Sequence, residues 1–346
     1  MKPLLASLNG KKTEYLPIWL MRQAGRYLPE YRAIKKQKKG FMDLIYSPEI
    51  AAEITMQPVR RFGMDGAILF SDILVVPDAM GQQVRFEHGK GPVLEPLQNE
   101  ADIEKLDQEK ASGKLSEIYE TVSLVSQKLK KEGHENTALI GFAGAPWTVA
   151  CYMIEGGGSK DFMRTRSWAY KNPQSFENLI GRLEKVTIDY LSSQIDYGAE
   201  SLQLFDSWAG ITSGDQFDRW IIEPAKRITT ALKVKYPDIK IIGFPKGSGV
   251  NYLKYARESG VDALSLDYSV PLEWAAETLQ KETVIQGNLD PAVLLAGGAE
   301  LERQAENILS VLSDGPFIFN LGHGVHKDTP VENVAALCEK VRSWRK

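Results

Sequence analysis

Apolar runs of strand length recur along the chain and alternate with amphipathic segments of helical period. The runs near 16–20 (LPIWL), 67–70 (AILF), 138–142 (ALIGF), 201–205 (SLQLF), 239–244 (IKIIGF), 262–266 (DALSL), 283–286 (TVIQ) and 316–320 (PFIFN) predict strands. Stretches at 48–62, 114–131, 174–197, 215–235, 250–258, 271–280 and 298–313 predict helices. A last helix is expected over 330–344, with Pro330 in its first turn. Most strand runs are apolar throughout instead of alternating, as expected where both faces are buried.

Eight strands alternating with helices predict an α/β fold, a single (β/α)8 TIM-type barrel forming one domain over 1–346. The alternative is an open doubly wound sheet. Against it, no G-x-G-x-x-G follows the first strand, and no Pro/Gly/Ser linker divides the chain. Residues 73–97 carry Gly, Pro and strand-like pieces, predicting a hairpin excursion after the second strand, and 98–116 are polar and charged. The run Gly156-Gly157-Gly158 is either an anion nest or a flexible loop over the cleft.

Composition narrows the function classes. The chain has 346 residues, 43% of them hydrophobic and 25% charged, which suits an ordinary soluble domain with a sizeable core. Its net charge of −3 supplies no global basic field, arguing against nucleic acid or an anionic membrane as partners. The opening MKPLLASLNGKK is too short for a secretory apolar region, and no window has the length of a membrane span. Cys151 and Cys338 are too few for a disulfide framework, so reduced thiols and a cytoplasmic location are expected.

In a barrel of this type the C-terminal strand ends build the active site. Read in order, those ends offer Arg22 and Arg26, then Ser71 and Asp72, then Pro146, Trp147 and Tyr152. Asp206-Ser207-Trp208, Lys246 and Asp267-Tyr268 follow, then Gln286, Asn288 and Asp290, and finally Asn320 and His323. Reactive side chains at nearly every strand end are hard to attribute to packing alone. Arg22 and Arg26 are four apart and would share one face if that segment turned helical, with Arg32, Lys35, Lys36, Lys38 and Lys39 following. Two forked guanidiniums suit bidentate carboxylate binding, although a random arginine pair is more often salt-bridged to its own fold.

The signature PIWLMRQAGR at 17–26 is far more specific than its charge pattern and resembles the uroporphyrinogen decarboxylase family. GFAGAPWTVACYMIEG at 141–156 is similar to that family's second signature. FSDILVVPDAMG at 70–81, LQLFDSWAG at 202–210, QGNLDP at 286–291 and NLGHG at 320–324 also resemble the family, in order. The resemblance implies conversion of uroporphyrinogen III to coproporphyrinogen III by loss of four acetate carboxyls as CO2. It further implies a homodimeric barrel that needs neither metal nor organic cofactor. It places Arg22, Gln23, Ala24, Gly25 and Arg26 against substrate carboxylates, and Asp72 against the pyrrole N–H groups. Tyr152, Ser207 and His323 would surround the reacting acetate and its neighbouring propionates. The flanks of Ser207 differ from those of some relatives, which leaves the roles of Asp206 and Trp208 open.

Losing CO2 from a pyrrole acetate leaves an electron pair that needs a sink. Protonating the adjacent ring carbon first makes the ring cationic, so the reaction can proceed without pyridoxal phosphate. The site must then supply an anion near the ring nitrogens, an acid, and cations for the carboxylates. Asp72 suits the first role, the alternative being a cap on the following helix. The acid stays open between Arg22, a water beside Arg22 or Asp72, and His323. A free guanidinium pKa above ~12 is poorly matched to a weakly basic carbon, whereas histidine titrates near neutrality. Tyr152 could orient a carboxylate, and Lys246 could bind one or stay solvated, a Schiff base having no independent support.

Two other functions fit the same fold. A corrinoid-dependent methyltransferase would carry zinc, which calls for a thiol and imidazole cluster. His88, His134, His323 and His326 form no His-x-Cys pair with Cys151 or Cys338. A non-catalytic tetrapyrrole carrier would need the arginines but no anion at the ring nitrogens.

Overall fold

A computed structural model describes every residue except Lys39, His88 and Lys346; Lys39 of the basic run and His88 therefore lie outside the described residues. Seven parallel strands run in the order β1 (Gly66–Ile68), β4 (Ala138–Gly144), β5 (Ser201–Asp206), β6 (Lys240–Pro245), β7 (Ala263–Ser265), β8 (Val284–Leu289) and β9 (Phe317–Leu321). Between β1 and β4 an antiparallel ribbon is formed by β2 (Val84–Glu87) and β3 (Gly91–Leu94).

The eighth barrel position is filled by the segment expected as the first strand, yet it pairs as a strand only at Ile18, which bridges Phe319 of β9. On its other side Ile18 C=O accepts the Asp65 N–H at 2.9 Å, which closes the ring. The reason is where its donors go. Pro17 has none, while the N–H groups of Ile18, Leu20 and Met21 donate to the side chains of Asp65, Gln23 and Asn320 at 2.9–3.0 Å. The fold is therefore a (β/α)8-type barrel whose first stave is held by side chains as well as by backbone bonds to Phe319 and Asp65.

The expected helices form, several with shifted ends. The 48–62 stretch is Pro48–Phe62, whereas 114–131 begins earlier, at Gln108, where Asp107 accepts the N–H groups of Glu109 and Lys110. Pro330 stands just before the last helix, Val331–Ser343, and not inside its first turn. The triple glycine is neither nest nor free loop. Gly157 bridges Val93, Leu94 N–H donates to Gly156 C=O at 3.0 Å, and a Cβ on Gly157 would lie 2.9 Å from Pro92 C=O. Glycine is needed there for the ribbon to dock on the helix Pro146–Glu155.

In-register partners of parallel strands share a face, so the barrel interior can be read in layers. A polar layer crosses it: the Trp19 indole donates to Gln286, and the Gln286 amide donates to Gln203 and Ser265, all at 2.9–3.0 Å. Beside it is an aromatic cluster, in which Phe205 and Phe244 are register partners while Phe142 is level with Gln203. Phe142, Phe205 and Phe244 make edge-to-face contacts at 5.5 and 6.1 Å, and Phe244 reaches the His323 ring at 6.5 Å. These hydrogen-bonded side chains and aromatic rings make the floor of the mouth, with the buried Gln203 amide nitrogen left without an acceptor among the described residues.

Candidate active site

Arg22 leaves the first stave in a turn, with φ +59°, the left-handed region that L residues seldom adopt. The chain from Met21 to Leu28 does not turn helical, so Arg22 and Arg26 do not share a helix face as their spacing suggested. Both side chains are exposed, and neither forms an ion pair with a carboxylate among the described residues. Between them Gln23 is fully buried. Its amide accepts from Leu20 N–H and donates to Gly66 C=O, so that side chain shapes the turn and is unavailable to a ligand. Arg32 is spent on the C=O groups of Arg26 and Tyr27. The guanidinium of Arg22 lies along Gly324, where a Cβ would stand 2.6 Å from Arg22 Cγ.

Asp72 follows β1. One oxygen accepts the Leu74 N–H at 2.9 Å, so the capping alternative is partly realised just before the short helix Val75–Ala79. The other oxygen has no hydrogen-bond donor among the described residues. Burial pushes the carboxyl up to about 6, while the Leu74 N–H and the Arg22 guanidinium pull it back down. Tyr152, on the helix after β4, feels the charges of both Asp72 and Arg22, and burial holds its phenol above the usual value. Arg22, Asp72 and Tyr152 are thus one electrostatic unit at the barrel mouth.

His323 joins that unit with a changed role. Burial, then the positive charges of Arg22 and Lys246, push its imidazole down to about 4, with Asp267 opposing. It is neutral near pH 7, which removes the advantage its ordinary pKa gave it as the proton donor. Ser207 sits in the turn after β5, half-buried, with a hydroxyl that no described residue engages.

The neighbours of Ser207 have defined places. Asp206 is buried and accepts the Thr148 hydroxyl at 2.5 Å; Thr148 in turn accepts the Trp208 N–H at 3.0 Å. Trp147 donates its indole N–H to Trp208 C=O at 3.0 Å. The indole N–H of Trp208, buried without an acceptor at bonding distance among the described residues, faces the Tyr152 hydroxyl. Thr148 and the aromatic floor were not among the sequence candidates. The floor residues lie two positions before Ser207 and Lys246 on their strands, and that period was the signal available.

Other strand-end residues serve the scaffold. Asn320 accepts from the N–H groups of Met21 and Leu321, Asn288 donates to the C=O groups of Asp267 and Val270, and Asp290 caps the helix Pro291–Ala296. The Ser71 hydroxyl is buried beside that of Tyr190. No group of three or more His, Cys, Asp or Glu among the described residues is arranged to hold a metal ion. No helix of the described residues is long and apolar enough to cross a membrane. A cavity of about 370 Å³ opens at the opposite end of the barrel, lined by Tyr15, Asp65, His134 and Arg342, away from all these groups.

The family model for uroporphyrinogen decarboxylase (URO-D) matches residues 1–344. The chain is 53% identical over 344 residues to uroporphyrinogen decarboxylase of Rhodospirillum rubrum, covering 99% of this chain and 98% of that one. It is 52% identical over 342 residues to the enzyme of the same name from Novosphingobium aromaticivorans, again covering 99% and 98%. Among solved structures it is similar to a methyltransferase from Methanosarcina mazei, with TM-score 0.81 and 17% identity over 98% of this chain and 97% of that one, a likeness of fold alone. With matching motifs, length and barrel, the chain belongs to the uroporphyrinogen decarboxylase family.

Proposed function

We propose that this chain is a carboxy-lyase that removes the four acetate carboxyls of uroporphyrinogen III as CO2, giving coproporphyrinogen III. One observation carries the reading. Asp72 presents a half-buried carboxylate oxygen, free of protein donors among the described residues, beside Arg22 and Tyr152 above an aromatic floor. An acetate bound by Arg22 stands next to a ring whose N–H groups donate to Asp72. Proton addition to the ring carbon adjacent to the one bearing the acetate gives a cation, conjugated to the acetate-bearing carbon, that this carboxylate stabilises in a medium of low dielectric. The carbon–carboxyl bond then breaks, its electron pair neutralises the ring, and CO2 departs. A second proton converts the exocyclic methylene to methyl as the ring proton is lost, so each round consumes one proton.

Arg22 and Arg26 hold carboxylates, with the backbone of Gln23, Ala24 and Gly25 lining their approach. Tyr152 and Ser207 orient the reacting acetate through their hydroxyls, and neutral His323 donates one N–H to a neighbouring propionate. The reaction needs no metal or organic cofactor, because the protonated pyrrole is itself the electron sink. The chain works as one barrel domain, a homodimer in the cytoplasm, where the buried free thiols Cys151 and Cys338 suit reducing conditions.

The test is anaerobic incubation of chelator-treated protein with uroporphyrinogen III, with products resolved by carboxyl number. Seven-, six-, five- and four-carboxyl products are expected. Tight binding with unchanged substrate would favour a carrier, and activity that returns only with added zinc would favour the metal-dependent alternative. Sedimentation at several concentrations checks the dimer.

A further inference from the structure

Lys246 follows β6 directly, two residues beyond Phe244. Phe244 is fully buried, faces the barrel interior and contacts the His323 ring at 6.5 Å. Lys246 stands in the turn just past the strand, its N–H folded back on Phe244 C=O at 3.0 Å, and its charge reaches the His323 ring that packs on Phe244. Its backbone is fixed on both sides: the N–H donates to Asp206 C=O at 3.1 Å, and the C=O accepts Gly210 N–H at 3.0 Å. Lys246 is half-buried, and its ammonium has neither an ion pair nor a hydrogen bond among the described residues. Asp267, the acidic group that also faces His323, is already saturated. It accepts Gly247 N–H at 2.7 Å, the Tyr252 hydroxyl at 3.0 Å, and the N–H and hydroxyl of Ser269 at 2.9 and 2.5 Å.

A lysine set at the mouth beside a second cation, Arg22, with no protein anion to pair it, suits an anion from outside. The strand order puts β6 across the mouth from the stave that carries Arg22 and from β1, which carries Asp72. We propose that Lys246 seats a propionate carboxylate of the tetrapyrrole, on a ring remote from the reacting acetate. The proposal rests on the decarboxylase reading above. Propionate is the group that fits, because the acetates are consumed one after another while all four propionates survive every round. A seat useful in each of four turnovers must grip what remains. Nucleophilic use of the lysine has no target, since the substrate offers carboxylates and pyrroles but no ketone or aldehyde.

His323 lies between the two cations and reports on them. Arg22 and Lys246 both hold its imidazole down, with Asp267 opposing. A carboxylate arriving at Lys246 offsets that charge and raises the imidazole pKa.

The test compares Lys246→Met, Lys246→Arg and wild type, using uroporphyrinogen III for turnover and coproporphyrinogen III for anaerobic binding. Losing one charge-assisted contact should raise KM about 10- to 100-fold, with kcat nearly unchanged. Coproporphyrinogen III should weaken by a similar factor, and Lys246→Arg should recover most of both. The His323 titration, followed by NMR, should move up in ligand-free Lys246→Met. Lowered kcat at unchanged KM and unchanged coproporphyrinogen binding would overturn the proposal, as would thermal destabilisation without weaker binding. Weaker uroporphyrinogen binding with intact coproporphyrinogen binding would assign Lys246 to an acetate and overturn the propionate seat. A wild type that binds coproporphyrinogen III yet turns over no uroporphyrinogen fails the decarboxylase reading, while the binding arm still decides on Lys246.

Discussion

Thr148 donates its hydroxyl proton to the buried Asp206 carboxylate at 2.5 Å, tying the helix after β4 to the end of β5. The same hydroxyl receives the Trp208 N–H, so one threonine fixes the turn that presents Ser207 and sets Trp208 against Tyr152. Asp206 lies one residue from Ser207, yet its carboxylate is bound to Thr148, which gives this acid a place in the scaffold.

That carboxyl makes a pH prediction. Burial pushes Asp206 up to about 7 against the opposing pull of Thr148; the other titratable groups facing it are Cys151 and Tyr255, both held neutral by burial. A raised folded-state pKa gives stability that is complete below the unfolded value near ~4 and lost as pH rises toward the folded value. Asp206→Asn keeps an acceptor for Thr148 and removes the ionisation. Thermal unfolding should show Asn gaining on the order of a few kcal/mol at pH 8 relative to pH 4. A difference that does not vary between those two pH values would mean that burial does not raise this carboxyl above its unfolded value.

Asp72 should separate activity from stability. Asn at this position can still accept the Leu74 N–H, so the turn is preserved while the charge goes. Turnover of uroporphyrinogen III by Asp72→Asn should fall by roughly a hundredfold or more, the scale of one lost electrostatic contact to a transition state. Its folding should improve by on the order of 1–3 kcal/mol at pH 8, because the group is raised to about 6 by burial. In wild type, kcat/KM should decline as pH drops through about 6, where the required carboxylate takes up a proton. Full turnover by Asp72→Asn would rule out the role given to this anion.

The strand and helix pattern was legible in the sequence because burial on both faces writes continuous apolar runs. The motif residues were legible too, since strand tips are countable positions. What the pattern hid depends on partners far along the chain. LPIWL has the composition of any other strand, yet of its N–H groups only that of Trp19 joins a strand ladder, while those of Ile18 and Leu20 go to the side chains of Asp65 and Gln23. The four-residue spacing of Arg22 and Arg26 presumed a helix that the positive φ of Arg22 forbids. Gln23 sits inside the signature between two candidate ligands, and only its burial against Gly66 shows that its amide belongs to the fold. His323 has an ordinary pKa on paper; Lys246, distant in sequence, helps to keep it neutral. Phe142, Phe205 and Phe244 read as core at every position, and only their ring contacts across three strands reveal them as one floor.

Arg22 pays a backbone cost for its position. A left-handed φ of +59° disfavours a side chain with a Cβ by roughly 1–2 kcal/mol, a penalty glycine avoids. Arg22→Gly should therefore fold within about 1 kcal/mol of wild type, relief of strain being offset by a more flexible unfolded chain. Decarboxylation should nevertheless collapse, and the His323 titration should move up from about 4 as one of its two repelling cations disappears. Arg22→Ala, which keeps the strain, should be the less stable of the two and equally inactive. Thermal collapse of both variants in step with activity would show that the guanidinium serves the fold, as a random arginine pair usually does.

Gly324 offers a test of how closely Arg22 must be placed. A Cβ here would stand 2.6 Å from Arg22 Cγ and 3.0 Å from Nε, so alanine cannot coexist with the present rotamer. The backbone at Gly324 is not in the left-handed region, and the neighbouring Val325 N–H to Met21 C=O bond of 2.9 Å is untouched, so folding should survive. The long side chain can swing into solvent at small energetic cost, because it is already exposed. Gly324→Ala should then lose at least about tenfold in kcat/KM, since a displacement near 1 Å of a positioning group is enough for that. Thermal stability should change little, and His323 should titrate higher as the guanidinium moves off. Activity at the wild-type level would show that Arg22 adapts when the substrate arrives, and that its packing on Gly324 contributes nothing to turnover.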